Sequence, residues 1–220
     1  MSSNTRILAC IALALVVQAI SCAGQTADWE QRAEARAKEI IAKNGPGTQS
    51  ALKEELLAMY EREQRVRTRM REAGPARQRE FDAELARTDR QITRELRRVV
   101  SRFGWPTVAL VGAQASQAAA VMPVHSSDHV WQKKLLPQLL QLADEEKIFG
   151  SDVAGLTDRI LVSQGKPQRF GTQFKTAHGK IAIWPVDDPE HLEERRARYL
   201  LPPMDVYRKM LSDMYHMPLV

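Results

Sequence analysis

Along much of the chain, apolar residues return at the spacing of an α-helix. Leu52, Leu56, Met59, Val66 and Met70 share one side of a helix turning 100° per residue. Phe81, Leu85, Ile92, Leu96, Val99 and Phe103 repeat the pattern. Breakers separate the runs: Asn44-Gly45-Pro46-Gly47, Gly74-Pro75 and Gly104-Trp105-Pro106, combinations that stop helices by positive φ or by loss of the amide donor. The pattern predicts a short helix over residues 29–43, a second capped by Thr48 and running to about residue 72, and a third over about 76–102.

Beyond them, Thr107 is placed to cap a small-residue helix through residue 122, which Pro123 ends or kinks. Residues 128–147 read as a helix that Pro137 bends or splits. Ser151 is expected to cap the next, which stops near Gly165. The period then changes. Residues 169–175 and 180–185 read as a β-hairpin, with Gln168, Phe170 and Thr172 on one face and Gln173 on the other. Asp188-Pro189 opens a helix to about residue 199, and Pro202-Pro203 precedes a last one to about 215. The expected class is mainly α, a helical domain with one small β-hairpin near the C-terminal third.

The first residues alter this picture. Arg6 precedes an apolar run over residues 7–20, interrupted only by Gln18, which has the length of a signal-peptide core and is short for a bilayer crossing. Ala19-Ile20-Ser21-Cys22 resembles the lipobox of bacterial lipoproteins, in which the cysteine is acylated. On that preferred reading Cys22 is the lipidation site and the protein is bound to a membrane by its lipid, facing the periplasm from the outer membrane, since Ala23 is not the aspartate associated with inner-membrane retention. The alternative is ordinary cleavage after Ser21-Cys22-Ala23, releasing a soluble secreted or periplasmic protein. The organisation is then 1–22 leader, 23–47 N-terminal helix and linker, and 48–220 a single mostly helical domain. Cysteines occur only at 10 and 22, so the domain has none to mispair in an oxidising compartment.

Without the leader, 31 basic residues face 27 acidic ones. The arginine-rich stretch is interleaved with Glu61, Glu63, Glu72, Glu80, Asp82, Glu84, Asp89 and Glu95, which argues against a nucleic-acid partner.

Several polar residues occupy positions that packing alone does not explain. Glu63 falls in the middle of the apolar stripe of its helix, with Arg67 one turn on, which is either an inward ion pair or a carboxylate lining a pocket. Asp89 lies at the edge of the facing stripe. His125 comes near the core either as a continuation of the helix before Pro123 or in the loop after it, and is the strongest general-base candidate. Asp158 and Arg159 flank the stripe of the following helix; Asp158 suits orienting a histidine, binding a ligand hydroxyl or pairing with a neighbouring helix.

Glu63-Gln64-x-x-Arg67, Gly104-Trp105-Pro106-Thr107, His125, Leu156-Thr157-Asp158-Arg159 and Gln168-x-Phe170-Gly171-Thr172-Gln173-Phe174, in this order, resemble a bacterial domain-of-unknown-function family, number 6624. The chain departs from that pattern in having Glu63 for aspartate, Phe170 for tyrosine and Ser126-Ser127 after the histidine. The resemblance implies no activity, so function rests on the residues.

The preferred reading is a binding or interaction module of the cell envelope, taking a small polar ligand or an envelope protein, with Arg67, Arg159, Gln168, Thr172 and Gln173 as ligand-binding residues. The alternative is a hydrolase-like enzyme with His125 as general base and Asp158 or Glu63 orienting it. No known nucleophile motif or phosphate-binding loop occurs. Glu63, Asp89 and His125 lack diagnostic metal spacing, so no metal is assigned, and the sequence specifies no cofactor.

Overall fold

The computed structural model describes residues 25–73, 75–177 and 179–220. The leader, Cys22 and the junction between them lie outside the described residues. Nine α-helices and one two-stranded hairpin are found among those described, so the protein is mainly α with its hairpin in the C-terminal third. The chain divides into two compact units. One is Ile40–Ile148; the other joins residues 25–39 to Phe149–Val220.

The unit Ile40–Ile148 is all helical. It takes the end of α1 (Gln25–Asn44), then α2 (Ser50–Glu72), a 3-10 segment Pro75–Phe81, α3 (Asp82–Phe103), α4 (Val108–Val111), α5 (Ala113–Val121), a 3-10 turn Met122–His125, and α6 (His129–Asp144). α2 packs against α3 and α5. Leu52, Leu56 and Met59 meet a core that includes Ile92, Leu96, Val99, Ala115, Ala118 and Ala119, all buried. The alanines let α5 approach closely, because a helix surface without long side chains brings the axes nearer. Phe103 lies at the end of the α3 stripe but is 39% exposed.

Local details differ from the expectations. Gln49, not Thr48, precedes α2, and it makes no side-chain cap. The amides of Thr48 and Gln49 both donate to Leu110 O, so a long-range carbonyl satisfies the N-cap amide and the one before it. The helix expected over residues 76–102 begins as a 3-10 segment. The single helix expected from Thr107 breaks at Gly112, whose φ is 79°. A Cβ there would stand 2.7 Å from Pro46 O, and one on Gly47 would stand 2.4 Å from Gly112 N. The two glycines therefore allow a backbone crossing that side chains would block. Pro137 neither splits nor ends α6, which is continuous through it. Asp128 caps that helix by accepting from the Trp131 amide at 2.9 Å.

In the other unit, α7 (Gly150–Ser163), the strands β1 (Phe174–Ala177) and β2 (Lys180–Ile183), a 3-10 turn Pro189–His191, α8 (Leu192–Arg198) and α9 (Met204–Tyr215) follow in order. β1 and β2 are antiparallel, with Phe174 opposite Ile183. Their inner face joins α8 and α9 around Phe174, Ile181, Leu192, Met204, Tyr207 and Leu211. Ser151 lies inside α7, which follows Phe149 with no side-chain cap. Asp188 does not cap a helix either; its carboxylate takes His191 at 2.8 Å and Arg195 at 3.0 Å. The largest difference concerns residues 168–173, which are not strand. Gln168, Phe170, Thr172 and Gln173 are all buried, so the alternation expected of them is absent.

Candidate functional site

The predicted site residues fall into two groups, one in each unit. Asp158, Arg159, Gln168, Thr172 and Gln173 belong to the unit with the hairpin, and Glu63, Arg67 and His125 to the all-helical one.

Asp158 projects from α7 and is fully buried. Its Oδ1 accepts the amides of Arg169 at 2.7 Å and Phe170 at 3.0 Å. Its Oδ2 accepts the Thr172 amide at 2.9 Å and the Thr172 hydroxyl at 2.8 Å. Burial pushes this carboxyl above the ordinary aspartate value, and the converging donors pull it back. Gln168 closes the same loop: its Oε1 accepts from Gln173 N at 2.8 Å, and its Nε2 donates to Gln173 O at 3.0 Å and Trp184 O at 2.7 Å. The Gln173 side chain donates to Thr172 Oγ1 at 3.2 Å and to Gly155 O at 3.4 Å. On the loop's carbonyl side, Tyr207 donates to Thr172 O at 2.7 Å, and the buried Arg196 donates to Phe170 O and, at 2.7 Å, to Pro202 O. A buried loop must satisfy its backbone groups from within the protein, and these side chains do so. Arg159 is half-buried on α7 and makes an interaction of its own.

The second group is a chain of ionisable residues. Glu63 is 1% and Arg67 6% exposed, on the face of α2 that carries Leu56 and Met59. His125 ends the 3-10 turn after α5, and its Nδ1 is 2.6 Å from Glu63 Oε1. A carboxylate only accepts, so Nδ1 carries the proton of that bond and Nε2 remains for other chemistry. Among the described residues nothing hydrogen-bonds Nε2, and the His125 side chain is 8% exposed. Arg67 Nη2 lies 3.5 Å from Glu63 Oε1 and 2.7 Å from Asp89 Oδ1. Burial pushes the Asp89 carboxyl upward against the pull of Arg67, and burial with the nearby Glu63 charge pushes the Tyr60 phenol upward.

A polar bracket holds the turn that carries His125. Gln132 of α6 donates to Pro123 O at 2.7 Å and Ser126 O at 3.0 Å, and Thr93 of α3 donates to Ser126 Oγ at 3.0 Å. Thr93, Ser126 and Gln132 carry no sequence signal for this role. Their partners are backbone carbonyls or residues many positions away, which no local spacing reveals. A groove of about 870 Å³ opens between α2 and α3, with Gln64, Val66, Thr88 and Ile92 among its walls. Neither Glu63 nor His125 lines it. Among the described residues, no group of three or more metal-ligating side chains is gathered in metal-binding geometry.

Fold and site thus define a mostly helical protein with a buried carboxylate–imidazole pair. The model of a family of unknown function (DUF6624) matches residues 50–219, and the chain belongs to that family. No curated protein and no solved structure matches it.

Proposed function

We propose that the protein is an exported envelope protein, held to the membrane by a lipid on Cys22, which binds a small polar ligand at His125. The observation carrying the reading is the 2.6 Å contact between His125 Nδ1 and Glu63 Oε1. A carboxylate in that position sets the tautomer and ring orientation of the imidazole and leaves a directed nitrogen for a ligand proton. Arg67 and Asp89 extend the chain of charges behind Glu63, so the pair is braced rather than isolated. By contrast, the polar atoms of Asp158, Gln168 and Thr172 are spent on the 168–173 loop, which favours His125 as the ligand contact.

The same contact also favours a second reading, in which His125 is the general base of a hydrolase and Glu63 its orienting partner. Thermal unfolding across a panel of metals and polar metabolites tests the first, with His125→Gln beside the parent. A ligand-induced shift in the parent that the variant loses supports binding at His125; a shift retained by the variant sinks it. Turnover of the bound compound, lost in the variant, moves the protein to the hydrolase reading. For the anchor, labelled palmitate should enter the parent and not Cys22→Ser; equal labelling removes Cys22 from the proposal.

A further inference from the structure

The acids that interleave the arginines of α3 in sequence do not share its outer face. Glu84 pairs with Arg69, Glu95 with Arg62, and Asp89 turns inward to Arg67, so α2 takes up three carboxylates of α3. Arg87, Arg90, Arg94 and Arg98 are left, all exposed. At 100° per residue they form one stripe, which spans about 16 Å at 1.5 Å per residue. None of the four makes a direct ion pair among the described residues, although the charge of Arg98 acts on Glu95. Gln91 and Arg97, both exposed, flank the stripe, with Arg97 held by Asp128 at 2.6 Å, and Ala83 and Ser101 leave its remaining positions small. Asp82, in the first turn, lies roughly a third of a turn away.

We infer that this face of α3 docks the protein against a surface of anionic lipid headgroups. Four exposed guanidiniums in a straight row, none in a direct ion pair, present diffuse positive charge, and guanidinium is the cation best matched to phosphate. The stripe contains no aromatic residue, whereas single-stranded nucleic acid is held on aromatic platforms as well as charge. The opposite side of α3 is committed to the core through Ile92, Leu96 and Val99, so the helix does not roll an apolar face into the bilayer. Among the described residues no helix is long and apolar enough to cross a membrane. The contact is therefore peripheral, electrostatic and screened by salt. It is independent of any ligand at His125.

The test is sedimentation of the full chain with vesicles of phosphatidylglycerol and phosphatidylcholine in equal parts, and with vesicles of phosphatidylcholine alone. R87Q/R90Q/R94Q/R98Q is measured in parallel; the leader is common to both chains, so their difference reports the stripe. The expected result is an excess of binding to anionic vesicles that high salt removes and that each lost arginine lowers about fivefold. The variant's circular dichroism and melting should match the parent, because the four side chains are exposed. No preference for anionic vesicles, or the same preference in the variant, overturns the inference. Tighter binding to a DNA oligonucleotide than to the vesicles at equal ionic strength overturns it in favour of nucleic acid.

Discussion

Glu63 Oε1 and His125 Nδ1 lie 2.6 Å apart across 62 residues of chain, and Arg67 shares the carboxylate from one helical turn away. Removing Glu63 leaves a guanidinium and an imidazole buried without their common acceptor. Breaking a buried ionic group from one side costs about 3–5 kcal/mol, so Glu63→Ala should lose about that much stability in urea titration. Glu63→Gln keeps an acceptor oxygen and should lose less than half as much. Equal losses in the two variants would mean that the site needs the volume of the side chain and not its acceptor.

Asp158 supports its loop through backbone amides, and the consequence is again a stability effect. Asp158→Ala orphans the amides of Arg169, Phe170 and Thr172 and should cost roughly 3–5 kcal/mol. Limited proteolysis should then cut within residues 168–173 faster in the variant than in the parent. A variant as stable as the parent would show that the loop finds other acceptors.

The crossing of Gly47 and Gly112 admits no side chain. Gly47→Ala sets a Cβ 2.4 Å from Gly112 N, at a φ of 95°, so both space and backbone oppose it. A loss of at least about 2 kcal/mol is expected, against a gain of up to about 1 kcal/mol for Gly155→Ala, which lies inside α7 and whose Cβ would meet open space. Equal melting temperatures for the two variants would refute the crossing.

Asp152 governs a pH dependence. Its Oδ2 is sealed and unpartnered, although the residue as a whole keeps some exposure; the sealed oxygen decides its chemistry. Burial, opposed by a hydrogen bond with Ser151, raises its carboxyl from 3.8 to about 7. A folded-state value above the unfolded one means that the protonated form favours folding. The contribution is full below about pH 4 and is lost as pH rises through 7. The remaining exposure screens the charge, so the loss is on the order of 2 kcal/mol. Melting temperature should fall across that window in the parent and stay flatter in Asp152→Asn; parallel curves would contradict the assignment.

The sequence by itself determined the helical class, the hairpin near the C-terminal third and the buried centres of the α2 and α3 stripes, Leu52 to Val66 and Ile92 to Val99, because these follow from a period that each segment carries locally. Glu63 stood out in the same way, as a charge at an apolar position of a known period. What only the tertiary structure decided is which residues meet. His125 reaches Glu63 because the 3-10 turn Met122–His125, bracketed by Gln132 and Thr93, aims it there. Residues 168–173 form a loop and not a strand because Asp158, from another helix, offers their amides a carboxylate. The acids of α3 leave its outer face because α2 supplies arginines to pair with them. Each is a partnership between distant segments, whose geometry depends on how the elements pack and leaves no trace in the spacing of either segment alone.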